Sequence, residues 1–112
     1  MAHDLELADR VRRVIGKMPG VVEKKMVGGV AWLVHGNMSV GIHKDQLIVR
    51  MDAADAQGLL QQDGVRVFDI TGRPMKGWLM VGPDACGDPS SLAVWVDRGV
   101  RFARTLPRKD SA

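Results

Sequence analysis

The feature that most limits how this chain can fold is a change of hydrophobic period near residue 20. Before it, Leu5, Ala8, Val11, Ile15 and Met18 recur at intervals of three and four. That spacing lays one apolar stripe along a helix over residues 4–18. After Pro19-Gly20 the period falls to two. Val30, Trp32 and Val34 alternate with Ala31, Leu33 and His35. Met38, Val40 and Ile42 alternate with Ser39, Gly41 and His43, and Leu47, Val49 and Met51 with Gln46, Ile48 and Arg50. Period two means strands with one face toward a core. The pairs Gly28-Gly29, Gly36-Asn37 and Lys44-Asp45 stand at hairpin spacing, so the strands form an antiparallel meander.

The remainder of the chain returns to helix, strand and helix. Asp52 is placed to cap a helix over residues 53–62, with Asp55 three residues on and Asp63-Gly64 as its stop. Strands over residues 65–70 and 75–81 follow, joined through Thr71-Gly72-Arg73-Pro74. Asp88 or Ser90 opens a last helix that runs to Leu106 and ends at Pro107. The order α-β(3-4)-α-β(2)-α contains no repeating βαβ unit, which excludes a doubly wound parallel sheet. It predicts the α+β class, a two-layer arrangement of antiparallel sheet and helices. Leu33, Ile48, Phe68, Trp78 and Met80 fall at the strand parity opposite the core residues. They call for a cover, for which a homodimer partner is the economical choice and the last helix the alternative.

Length and charge set the function classes. A chain of 112 residues has the size of one domain, here read as residues 1–107 with a tail over 108–112. No apolar run approaches the roughly 18 residues of a membrane span, and the N-terminus lacks a targeting pattern. The single cysteine, Cys86, fits a reducing compartment. A cytoplasmic protein is expected. The net charge of +3 arises from 16 Lys and Arg interleaved with 13 Asp and Glu, without the dense basic stripe of a dedicated DNA binder.

The search for chemistry returns no catalytic residue, cofactor site or metal site. His3, His35, His43 and Cys86 do not converge at ligand spacing, and Asp84 and Asp88 flank Cys86 with charge that opposes a thiolate. Residues 72–77 contain glycines, Arg73 and Lys76, but not the order of a phosphate loop; tight turns account for them. Arg98, Arg101, Arg104 and Arg108 share one side of the last helix. Leu92, Trp95, Val96, Gly99, Phe102, Ala103 and Leu106 share the other. This is a solvated face or a docking surface for an acidic partner or nucleic-acid phosphates. Trp78, by its strand parity, is the best interface anchor.

Two stretches carry a family resemblance. Residues 24–38 contain Met26, Gly28, Gly29, Gly36 and Asn37. Residues 68–78 contain Gly72, Arg73, Pro74, Met75, Lys76, Gly77 and Trp78. Together they resemble the N-terminal domain of the TfoX (Sxy) family. Val27 departs from the phenylalanine that usually precedes the paired glycines. The chain also ends before the separate C-terminal domain of full-length TfoX regulators, so a stand-alone module is expected. The resemblance implies an antiparallel α+β fold similar to secretion-chaperone-like domains and a bacterial regulatory protein that binds other proteins, linked to transcription and competence. It brings no catalytic residues. A small-ligand binder or enzyme using residues 72–78 ranks second, and direct DNA binding through the last helix third.

Overall fold

A computed structural model describes residues 5–16, 18–26, 29–68 and 75–108. In chain order the elements are α1 (Leu5–Ile15), β1 (Val21–Met26), β2 (Gly29–Val34), β3 (Asn37–His43), β4 (Gln46–Arg50), α2 (Ala53–Leu59), β5 (Val65–Phe68), β6 (Met75–Val81), α3 (Pro83–Cys86) and α4 (Pro89–Arg104). The strands form one antiparallel sheet in the order β1-β2-β3-β4-β6-β5. The expected α+β class and element order are present, with the short α3 as an addition. Its four residues are too few to show a helical period.

The helices gather on one side of the sheet. There the stripe of α1, with Leu7, Ala8, Val11 and Ile15, meets Leu92, Trp95, Val96, Val100 and Ala103 of α4. Val30, Trp32, Val34, Val40, Ile42, Leu47, Val49, Leu79 and Val81 rise from the strands to complete a single core. Trp95 keeps its indole N–H satisfied inside this core by donating to the Ala85 carbonyl at 3.2 Å. Arg12 on α1 binds Glu23 on the helix side of β1 at 2.7 Å and Asp9 at 2.8 Å. Arg12 thus joins an i,i+3 pair on the helix to the first strand of the sheet. Arg10 donates to the carbonyls of Cys86 and Gly87.

Two turns and one strand differ from the sequence reading in a physically instructive way. The β2–β3 turn is His35-Gly36, both left-handed with φ of 52° and 81°, and Asn37 begins β3 opposite Val34. Asn37 is buried because its amide donates to Pro107 at 2.8 Å, which ties the end of α4 to the hairpin. Gly29 is likewise a strand residue, paired with Met26; a side chain there would overlap the Ile42 carbonyl oxygen. In β3 the register jumps, so that Val40 faces Trp32 while Met38 faces Leu33. The extra residue, Ser39, makes a bulge. Met38 therefore lies on the side away from the core, not with Val40 and Ile42 as strict alternation predicts. The fully buried Ser39 hydroxyl donates to the Trp32 carbonyl at 2.8 Å, satisfying a backbone group at the break.

The bulge also sets how close α4 can come. A Cβ on Gly99 would stand 2.5 Å from the Ser39 carbonyl oxygen and 2.6 Å from the Val40 side chain. Only glycine permits that approach. The Gly99→Ala variant should therefore lose about 1–3 kcal/mol by overpacking, read as a lower midpoint in urea denaturation with an unchanged slope.

Helix starts follow the caps read from sequence. Asp52 accepts from the Ala54 N–H at 2.9 Å, and α2 ends at Leu59, short of residue 62. Asp88 accepts from the Ser91 N–H at 3.1 Å and the Ser90 hydroxyl at 2.6 Å, ahead of Pro89 in the first turn of α4. Those donors, the Ser90 hydroxyl foremost, hold the Asp88 carboxyl well below its ordinary range. A depressed folded-state pKa gives stability that is present above the unfolded value of about 3.9 and fades as pH falls below it. Asp88→Asn keeps a cap acceptor. It should leave the melting temperature at pH 7 nearly unchanged while flattening its decline between about pH 5 and 2; Asp88→Ala should lower it at both ends.

Candidate interaction surface

The side of the sheet away from the helices is apolar, and no described element lies over it. Ala31, Ile48 and Met80 are buried there yet stand apart from the core cluster. Val22 and Leu33 form one cross-strand pair, with Met38 beside Leu33 on the next strand. Val22 is 63% exposed, and Leu33, Met38, Phe68 and Trp78 are half-buried. Leu33, Ile48, Phe68 and Met80 thus share one side, as strand parity predicts, and α4 packs on the other without covering them. Trp78, opposite Arg50 at the end of the sheet, also lines a groove beside α2.

Trp78 sits at one end of this side because of its neighbour. Gly77 has φ of 83°, and a Cβ there would lie 2.6 Å from the Met51 carbonyl oxygen. Its own carbonyl accepts the Met51 N–H at 2.7 Å. In β6, positions 76–78 intervene between Met75, which faces Phe68, and Leu79, which faces Val67. Gly77 is the left-handed member of that irregularity, which explains why glycine precedes the tryptophan. Trp78 faces Arg50 across β4 and β6. The guanidinium lies 5.0 Å from the Trp78 ring centre and 5.8 Å from that of Phe102, within cation–π range. Phe68 packs against Trp78 with ring centres 6.1 Å apart and planes tilted by 49°.

Cations other than Arg50 also border this side. Lys24 faces Ala31, and Arg66 faces Met80 and donates to Gln46 at 3.0 Å. Arg66 thus reaches from the edge strand β5 across β6 to β4, its stem passing along apolar surface. Neither Arg50 nor Arg66 is evident as a surface feature from charge composition. Their shared parity with Ile48 and Met80 was the available signal.

The arginines of α4 are exposed on its outer side, as their spacing predicts, but they are occupied locally. Arg98 covers the Trp95 ring at 4.8 Å, Arg101 pairs with Asp97 at 2.8 Å, and Arg104 donates to the Pro19 carbonyl at 2.9 Å. Arg108 follows the helix and is exposed. Phe102, assigned by spacing to the buried side, is half-buried and faces α2. With Leu59, Met51, Asp52, Asp55, Arg98 and Arg101 it lines a groove of about 630 Å³ between α2 and α4. On the other flank of α2, Ala53, Gln57, Leu60, Val67, Lys76 and Trp78 are among the residues lining a second groove of about 500 Å³.

The remaining sequence candidates do not converge. Cys86 ends α3 and is buried, its thiol donating to the Gly82 carbonyl at 3.4 Å. Burial pushes that thiol up, away from nucleophilic use. His35 occupies the β2–β3 turn and His43 the end of β3. Among the described residues no group of three or more His, Cys, Asp or Glu is placed to hold a metal ion, and no helix is long and apolar enough to cross a membrane. His3, Gly28, Gly72, Arg73 and Pro74 lie outside the described residues, as does most of the expected tail.

The family model of the TfoX N-terminal domain matches residues 13–103. No curated protein and no solved structure matches the chain significantly. The matched span begins inside α1 and ends inside α4. It therefore takes in the whole sheet, the Gly77-Trp78 irregularity and the close contact at Gly99.

Proposed function

The chain belongs to the TfoX N-terminal domain family, and from that premise we propose that it is a regulatory protein-binding module with no chemistry of its own. It acts in the cytoplasm, in the control of transcription or competence. The observation that carries this reading is the open side of the sheet, where Val22, Leu33 and Met38 form an apolar row that no described element covers. Soluble proteins seldom leave such a row without a use. Trp78 and Phe68 add the aromatic anchors that dominate binding energy at protein interfaces. Capture of partners from host lysate on the immobilised protein, analysed by mass spectrometry, tests this. A specific partner retained by the wild type and lost with Val22→Glu is the expected result. Identical recovery by both, or none by either, sinks it.

A second reading rests on the groove between α2 and β6, whose apolar walls end near Lys76. Its size, about 500 Å³, falls in the range of small-molecule sites. It suits a small apolar ligand with an anionic group. A thermal-shift panel of carboxylates, phosphates and nucleotides should then raise the melting temperature for at least one class, and the rise should shrink in Lys76→Ala. Flat responses across the panel remove this reading.

A further inference from the structure

Charge on the two sides of the sheet is segregated, and this specifies the partner. On the open side, strand positions supply Lys24 and Arg66, with His43 and Gln46 near one end, while the Arg50 guanidinium lies at the end of the sheet between Trp78 and Phe102 of α4. None of the described carboxylates occupies an open-side strand position. The one acidic residue within a described strand, Glu23, faces the helices and is bound to Arg12. Asp45, in the β3–β4 turn, lines a recess with Glu6, Arg10 and Cys86 on the helix side. The others lie in helices, at their caps or in connecting turns.

We infer that the open side of the sheet receives an acidic, amphipathic protein segment, one apolar face on the Val22–Leu33–Met38 row and its carboxylates against Lys24 and Arg66. This rests on the protein-binding reading above and narrows it. Complementary charge is what orients and selects such a partner. A second copy of this chain is a poor occupant. Packed face to face about a two-fold axis, it would bring the same two cations from both protomers together with no described carboxylate between them. Single-stranded nucleic acid would satisfy the cations but needs open aromatic faces for its bases. Here Arg50 already lies over Trp78 and Phe68 packs beside it. The rest of the row is aliphatic, and Met38 suits adaptable contact with protein side chains.

Fluorescence anisotropy with the full chain tests the inference, using three labelled probes. The first is a helical peptide of about 16 residues with a leucine stripe opposite a glutamate face. The second has lysine in place of each glutamate, and the third is an oligo-dT of similar length. The glutamate peptide should bind at least about tenfold more tightly than the lysine peptide, and more weakly as salt rises. Val22→Glu and the double variant Lys24→Glu/Arg66→Glu should each weaken it at least about fivefold, with circular dichroism confirming that both remain folded. Equal binding of the lysine peptide, tighter binding of oligo-dT, or no binding of the glutamate peptide overturns the proposal. So does a dimer in sedimentation that Val22→Glu dissociates. A lysate partner lost with Val22→Glu but indifferent to Lys24→Glu/Arg66→Glu would overturn this inference while leaving the broader binding role intact. Absence of any such partner would remove the broader role itself.

Discussion

The contact between α4 and β3 is the constraint on which the rest of the structure depends. Gly99 brings the helix axis down onto the backbone of Ser39, and Trp95, Val96, Val100 and Ala103 are buried around it. The strand accommodates that approach through the bulge at Ser39, and the buried hydroxyl satisfies the Trp32 carbonyl where the ladder is interrupted. Each end of α4 is then fastened to a different part of the chain. At its start, the Trp95 indole holds Ala85 of α3. At its finish, Arg104 holds Pro19, and Asn37 holds Pro107. A helix fixed at three places on one side of the sheet leaves nothing of itself for the other side.

Periodicity made most of this legible. The stripe of α1, the alternation in β2 and β4, and the caps at Asp52 and Asp88 are local signals, and local physics decided them. The departures occur where a contact distant in sequence overrides the local pattern. Met38 changes sides because one residue is inserted in β3, a event that alternation of Val, Ile and Met cannot encode. Asn37 leaves the turn because its amide finds Pro107, 70 residues away. Arg10 on α1 reaches the carbonyls of Cys86 and Gly87, 76 and 77 residues away. Phe102 is half-buried because the small side chains of α2 leave a groove beside it.

The candidate surface was legible in part for the same reason. Strand parity singled out Trp78 and its apolar companions, since that rule needs only the strand and its core side. It gave no indication that Arg50 would lie over Trp78, because the meeting depends on which residues of β4 and β6 stand opposite one another. The arginine stripe shows the reverse. Its spacing was read correctly, but Trp95, Asp97 and the Pro19 carbonyl engage Arg98, Arg101 and Arg104. Helical spacing tells which side a charge occupies and leaves open what it touches there.

The segregation of charge follows from the architecture itself. Helix N-termini expose amide hydrogens and carry the positive end of the helix dipole, so they recruit carboxylates. Asp52 and Asp88 cap α2 and α4, and Glu6, Asp55 and Asp84 lie in first turns. With every helix on one side of the sheet, those carboxylates collect there too. The open side has no described helix end to supply them, and its strands keep Lys24 and Arg66 beside apolar residues. A modest excess of positive charge over the whole chain thus becomes one that no described carboxylate opposes, placed where no described element covers the sheet. A partner acidic enough to meet those cations completes the electrostatics of that side, whereas an identical copy repeats its deficiency.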